Sequence, residues 1–430
     1  MASSAGASDG ALPQTVDVVI VGGGIAGGAL ATVLARDGLS VLVLERAKDY
    51  RDAVRGESIV PWGVREVIRL ELLNTLLKAG GHWTNRWISY DEVLQPEEAE
   101  RRALPLDGLI PGVSGSLNIA HPTACLALNN AARSAGAWFV VGAQVEQCRL
   151  GSRPQVDFRL RNRTHVVRCR LVIGADGRNS VLRKALGVPI RRTAPPHMVG
   201  GLLVSGLKGI WAEAEVQAVE GSTYFLGMPQ KDGRARVYLG FPLDERLRFT
   251  GPRAAELFLQ AAYCRCMPTS DRWVAGDVAG PCASFTAEDL WPESPVGEGL
   301  LLIGDAAGYV NPLIGQGTAS AFRDVRVVRD LMRETVAWSP DAFAPYAREH
   351  RERFRRICAV GRLYAAIFAD FRPGAGDRRR MVSERMQQDP RLLLPVAAMF
   401  SGPETIPSAE FVERSQSRLL ASREAAVAHS

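Results

Sequence analysis

The stretch Val16 to Arg46, TVDVVIVGGGIAGGALATVLARDGLSVLVLER counted from Thr15, restricts the fold of this chain more than any other. A β-branched run at Val16 and Val18–Val21 enters the turn Gly22-Gly23-Gly24-Ile25-Ala26-Gly27. An alanine-rich helix to about Arg36 and a second apolar run, Val41–Leu44, follow. This is a βαβ unit carrying G-x-G-x-x-G between strand and helix, the context a dinucleotide needs. Gly22 allows the tight turn, Gly24 lets the backbone approach a pyrophosphate, and Gly27 lets the helix lie close on the strand. Ile25 and Ala26 open the helix, whose free N–H groups and dipole favour the negative charge. Glu45 ends the second strand 18 residues after Gly27, with Arg46 beside it. A carboxylate there accepts ribose hydroxyls and disfavours a 2′-phosphate, so the expected adenosine belongs to FAD or NAD.

The charge of +6 is carried by arginine, with five lysines among 52 basic residues. Acids are interleaved along the whole chain, which reads as solvated faces and argues against a nucleic-acid partner. Seven cysteines show no metal-ligand spacing, and Cys264-Arg265-Cys266 is too close for a C-x-x-C pair. The expectations are no metal, free thiols and a cytoplasmic protein with no transmembrane segment. Residues 1–14 lack the basic start and apolar core of a signal peptide and read as a disordered tail.

Two later stretches repeat the grammar of a buried strand ending in a polar turn. They are Leu171–Gly174 before Ala175-Asp176-Gly177, and Gly299–Ile303 before Gly304-Asp305-Ala306-Ala307-Gly308. Between them, alternating segments such as Met198–Val204, Ser222–Met228 and Arg236–Phe241 predict an antiparallel sheet. The expected fold class is α/β: a Rossmann-like domain from 15–187 and 283–336, an inserted antiparallel-sheet substrate domain at 188–282, and a helical region at 337–430. In that region, Leu392–Phe400 near several arginines is expected to pack on the parent domain, with a membrane surface or a second subunit as the alternatives. Phe225, Met228, Tyr238 and Phe241 are candidates for an apolar substrate wall.

Gly22-x-Gly24-x-x-Gly27, Gly174-Ala175-Asp176-Gly177 and Gly304-Asp305-Ala306-Ala307, in this order, resemble the FAD-dependent monooxygenases of the aromatic hydroxylase type. The wider superfamily includes flavin-dependent halogenases and geranylgeranyl reductases. The resemblance implies that Asp305 meets a ribityl hydroxyl and that Pro312, Gly315, Gln316 and Gly317 pass along the flavin ring. The helix from about Thr318 would point its positive end at the ring, where charge gathers on reduction. It further implies that Asp176 and Gly177 support the pyrophosphate region and the approach of NADPH or NADH, that Arg55 lies over the phosphates, and that Val145 meets adenine.

Departures from the family pattern also carry information. His121 stands where many hydroxylases have Arg, and is the one catalytic candidate. Gly308-Tyr309-Val310-Asn311-Pro312 is closer to prenyl reductases, and Gly56-Glu57-Ser58 is similar to halogenases and those reductases. Against a halogenase, Lys78 is the only lysine near that motif, and Trp83 and Trp87 do not form W-x-W. The expected function is hydroxylation or epoxidation of an apolar or aromatic small molecule, using NAD(P)H and O2 through a flavin hydroperoxide. An isoprenoid double-bond reductase, a halogenase and a non-catalytic metabolite-binding flavoprotein are the alternatives, and a homodimer is left open.

Overall fold

In the computed structural model, residues 12–54 and 56–421 are described; Arg55 and most of the expected N-terminal tail lie outside them. Its centre is a six-stranded sheet in the order Val296–Gly297, Leu300–Leu302, Leu171–Gly174, Val18–Val21, Val41–Glu45, Trp138–Val141. Every pairing is parallel except that of the edge strand Val296–Gly297. Val18 and Ile20 face the helices Ile25–Arg36 and Gly317–Glu334, while Val19 and Val21 face a three-stranded meander, residues 144–168. Both faces are covered, which is why these strands are apolar at every position instead of alternating.

The second sheet has eight strands and runs Asp277–Val278, Met198–Ser205, Arg234–Phe241, Thr223–Gln230, Ala214–Glu220, Arg86–Asp91, Leu104–Pro105, with Ala283–Thr286 also on Met198–Ser205. It therefore reaches beyond the expected span 188–282. Arg86–Asp91, ahead of the second glycine motif in sequence, pairs in parallel with Ala214–Glu220. The stretch 94–115, which reads as a loop rich in acids and prolines, supplies the helix Pro96–Arg101 and the strand Leu104–Pro105. The period of two divides this sheet between two cores. Ala214, Val216, Ala218, Phe225 and Phe241 enter a cluster with Phe249, Phe258 and Trp273 on the far side. Tyr224, Leu226, Met228 and Tyr238 face the parallel-sheet half. Phe225 and Phe241 thus belong to the far core and not to a substrate wall, whereas Met228 and Tyr238 lie on the inner face.

From 337 to 421 the chain is mainly helical: Ala344–Phe368, Ala375–Gln388, Leu394–Ser401 and Ala409–Leu420. The breaks fall where Pro390 and the segment 402–407 interrupt helical spacing. Phe354, Ile357, Leu363, Met399 and Phe400 join the central core, so this region closes the molecule over the space between the two sheets.

Candidate active site

The three glycine motifs occupy the carboxyl ends of three adjacent strands, Leu300–Leu302, Leu171–Gly174 and Val18–Val21. In open α/β sheets that is where ligands bind. Gly22 has φ +102°, and a Cβ there would stand 2.3 Å from the Ala175 carbonyl oxygen. A Cβ on Gly27 would stand 1.9 Å from the Gly22 carbonyl oxygen. Gly24 differs: a Cβ there would meet no atom within 4 Å. Two glycines are therefore required by the protein's own packing, and the third leaves space open over the helix N-terminus. No side chain caps that end of Ile25–Arg36, so its first N–H groups are available to an anion.

Glu45 leans back onto the turn. Its Oε2 accepts the Gly23 N–H at 2.6 Å and its Oε1 the Ala47 N–H at 2.6 Å, which fixes the carboxylate while leaving acceptor capacity on both oxygens. Tyr50 and Asn129 both donate to the Gly23 carbonyl, at 2.7 and 3.0 Å. Arg46 is exposed next to it. Val145 lies in the strand Gln144–Arg149, opposite Phe158.

Asp176 is occupied by its own neighbourhood. It accepts from Ser180 Oγ at 2.6 Å and from the Val181 N–H at 2.7 Å, anchoring the short helix Val181–Ala185. Gly177 follows with φ +79° and open space at its Cβ position. Arg183 bridges to the third motif by donating to the backbone carbonyls of Asp305 and Ala306 at 3.0 and 3.1 Å.

The loop after Asp305 is pinned at several points. The Asn311 N–H donates to Asp289 at 2.8 Å, and Pro312–Ile314 makes one 3₁₀ turn capped by Asn311. Gly315 has φ +63° and open space at its Cβ position. Gln316 is buried, accepting from Trp62 Nε1 at 2.9 Å and donating to the Ile314 carbonyl at 2.8 Å. Its side chain therefore holds the loop in shape. The helix Gly317–Glu334 starts here with no side-chain cap. Two uncapped helix ends, open space at Gly24, Gly177 and Gly315, and a fixed carboxylate at Glu45 together fit a dinucleotide with a ring system along the loop.

A narrow cavity of about 20 Å³, room for about one water, adjoins this loop. Its floor is Leu313, Ile314 and Gly315; its walls include Glu215, Leu226 and Met228 from the sheet and Tyr364, Met399 and Phe400 from the C-terminal helices. His121 is not part of it: it begins the helix His121–Ser134, its ring 3.7 Å from Cys125 Sγ one turn on. Beside the cavity, Arg236 donates to Glu57 Oε2 and Oε1 at 2.9 Å each and to Asp52 at 2.6 Å, and Gln230 donates to Glu57 at 2.6 Å. Burial pushes the Glu57 carboxyl up, and Arg236 opposes that shift.

Sequence reading does not reach Glu215, Tyr364, Met399 or Phe400. A signal exists for the first: Ala214-Glu215-Val216-Gln217-Ala218 alternates, and its polar side reads as solvent-facing until the second half of the molecule covers it.

The family model described as FAD binding domain matches residues 15–356. The chain is 26% identical over 333 residues to squalene monooxygenase of Mus musculus, covering 76% of this chain and 56% of that protein. The chain thus spans little more than half the length of the squalene monooxygenases it matches. It is 27% identical over 376 residues to menaquinone reductase of Mycolicibacterium smegmatis, covering 82% and 84% of the two chains. Among solved structures it is similar to PqsL of Pseudomonas aeruginosa in complex with 2-aminobenzoylacetate. The TM-score there is 0.72 at 22% identity, over 84% of this chain and 99% of that one.

Proposed function

We propose a function from one premise: the chain belongs to the family described as FAD binding domain. On that footing it is a FAD-dependent oxidoreductase of the monooxygenase kind, taking electrons from NADPH or NADH and using O2 to hydroxylate or epoxidise an apolar or aromatic small molecule. FAD, when bound, supplies the hydride acceptor and the site at which oxygen is activated. The first turn of Ile25–Arg36 would hold the pyrophosphate, Glu45 the adenosine ribose, Asp305 a ribityl hydroxyl, and Pro312–Gly317 the ring. Gly177 would leave room for the approach of the nicotinamide.

The observation that carries this reading is the cavity against Leu313–Gly315, walled by Leu226, Met228, Met399 and Phe400. Those largely apolar walls stand close together at about 20 Å³, and a substrate would part them to lie against the ring loop, shielded from water. Relatives named for squalene and menaquinone fit an apolar chamber.

A second reading, a flavin-dependent reductase of isoprenoid double bonds, is favoured by the match to menaquinone reductase. One experiment separates the two. The purified protein is loaded with FAD, and its absorbance is followed without oxygen as NADH and then NADPH are added. Bleaching, followed by oxygen uptake matched to product on readmitting air with substrate, supports the monooxygenase. Product formed without oxygen supports the reductase, and failure to bind FAD sinks both.

A further inference from the structure

Two glutamates are buried along the inner face of the antiparallel sheet, in different company. Glu57 is held by Arg236 and Gln230, and its charge is answered by a guanidinium. Glu215 is 1% exposed and forms no ion pair among the described residues. Ser58 Oγ donates to its Oε1 at 2.8 Å and Thr84 Oγ1 to the same atom at 3.2 Å, and the Asn118 side chain adds a third neutral partner. A buried carboxyl without a cation is costly relative to an aliphatic residue of similar size. The far core does not need it, since Ala214, Val216 and Ala218 supply that face of the strand.

What Glu215 does face is the cavity over Leu313–Gly315. A carboxylate has about four acceptor positions, and the donations from Ser58 and Thr84 converge on a single oxygen. Gln217, the next residue on this face, is already taken up by Ser89 and Tyr364. Among the described residues that line the cavity Glu215 is the acidic one, with Ser58 and Tyr364 its polar neighbours in a mainly apolar wall. Burial lifts its carboxyl above the usual range, and the hydrogen bonds from Ser58, Thr84 and Asn118 oppose that shift.

We propose that Glu215 is the specificity-determining residue of this pocket, accepting a hydrogen bond from a hydroxyl or amino group on an aromatic or conjugated substrate whose body lies on Leu226, Met228 and Phe400. This rests on the reading of the cavity as the substrate site and narrows it. The preferred substrate carries a polar, proton-bearing end and is not a bare hydrocarbon.

The test is calorimetric binding of 2-naphthol, 2-methoxynaphthalene and 2-methylnaphthalene to the FAD-loaded protein, for wild type, Glu215→Gln and Glu215→Leu. Wild type should bind the naphthol at least about tenfold more tightly than the other two, the scale of one hydrogen bond to an acidic group. Glu215→Gln, which keeps an acceptor oxygen, should retain part of that preference. Glu215→Leu should lose it and favour the hydrocarbon. FAD content and melting temperature show whether each variant is folded. Equal binding of the three ligands by wild type, no binding of any, methoxynaphthalene binding as tightly as naphthol, or a preference unchanged in both variants would each overturn the proposal. Flavin reduction and oxygen uptake are read separately. A protein that discriminates the ligands but consumes no oxygen defeats the monooxygenase reading alone, and one that turns over without discriminating defeats only the role of Glu215.

Discussion

The backbone N–H of Gly304 donates to Asp324 Oδ2 at 2.8 Å, tying the turn before Asp305 to the second turn of the helix Gly317–Glu334. The other Asp324 oxygen accepts from Arg353, so a helix from the C-terminal region also bears on the turn. Asp324 and Arg353 are both buried, and burial raises the Asp324 carboxyl to about 6 against the pull of Arg353. Asp324→Ala should cost roughly 2 kcal/mol, because it unpairs the Gly304 amide and takes one of two carboxylates from the buried Arg353, which keeps Glu349. It should also weaken FAD binding, since the motif carrying Asp305 loses its anchor. Thermal denaturation and FAD content of the purified variant check both; unchanged FAD affinity would show that the turn holds its shape without Asp324.

The glycine turn gives a contrast between neighbouring positions. Gly24→Ala places a methyl group in open space and should change the stability of the FAD-free protein by less than about 1 kcal/mol, a helix-cap effect. The same methyl should lower FAD affinity markedly, because it fills the approach to the helix end. Gly27→Ala puts a Cβ 1.9 Å from the Gly22 carbonyl oxygen and should destabilise the FAD-free protein by about 1–3 kcal/mol or more. Melting curves with and without FAD distinguish them. Equal loss of apo stability in both would contradict the space assigned to Gly24.

Arg236 is wholly buried among Glu57, Asp52 and Gln230, with its Nη1 lacking a partner among the described residues. Arg236→Met should destabilise by roughly 3–5 kcal/mol, the scale for uncovering a buried carboxylate. Arg236→Met combined with Glu57→Leu should recover much of that loss, because the orphaned charge is removed with its partner. A double variant no more stable than the single one would mean that the arginine acts through packing alone.

His197 tests pH dependence. It is fully buried with no hydrogen bond to either ring nitrogen among the described residues, and burial lowers its pKa to about 4. The folded state binds the proton more weakly than the unfolded chain, whose imidazole titrates near 6.5. Stability from His197 is therefore full above about 6.5 and lost as pH falls toward 4, by roughly 3 kcal/mol. Asp324 titrates in the same window with the opposite sign, since its raised carboxyl favours the folded state as pH falls. The difference between His197→Leu and wild type isolates the histidine, and it should grow in favour of the variant from pH 7 to pH 4.5. Denaturant titrations at those two pH values decide it; a difference that stays flat would mean that the ring is solvated.

Much of the cofactor half was legible in the sequence because its signals are local. Glycines at fixed spacing between an apolar strand and an alanine-rich helix admit few backbone courses, and the structure sets the three motifs on adjacent strand ends. Asp176 and Gln316 show the limit of that reading. Their positions follow from the motifs, but their side chains are engaged by Ser180 and Val181, and by Trp62, partners that spacing does not reveal.

The sequence by itself determined the βαβ start, the order of the glycine motifs, the alternating strands and the helical end, since each depends on residues within a few positions of one another. Only the tertiary structure decided which side of each alternating strand meets the cavity. Period two fixes that Glu215 and Val216 point opposite ways, not which of them looks inward. It put Phe225 and Phe241 in the far core, drew Arg86–Asp91 into the antiparallel sheet, and set Met399 and Phe400 against Leu313–Gly315. The physical reason is that burial on a face comes from whatever packs across it. Here that is a second sheet and a C-terminal helix remote in the chain, whose arrival no local pattern encodes.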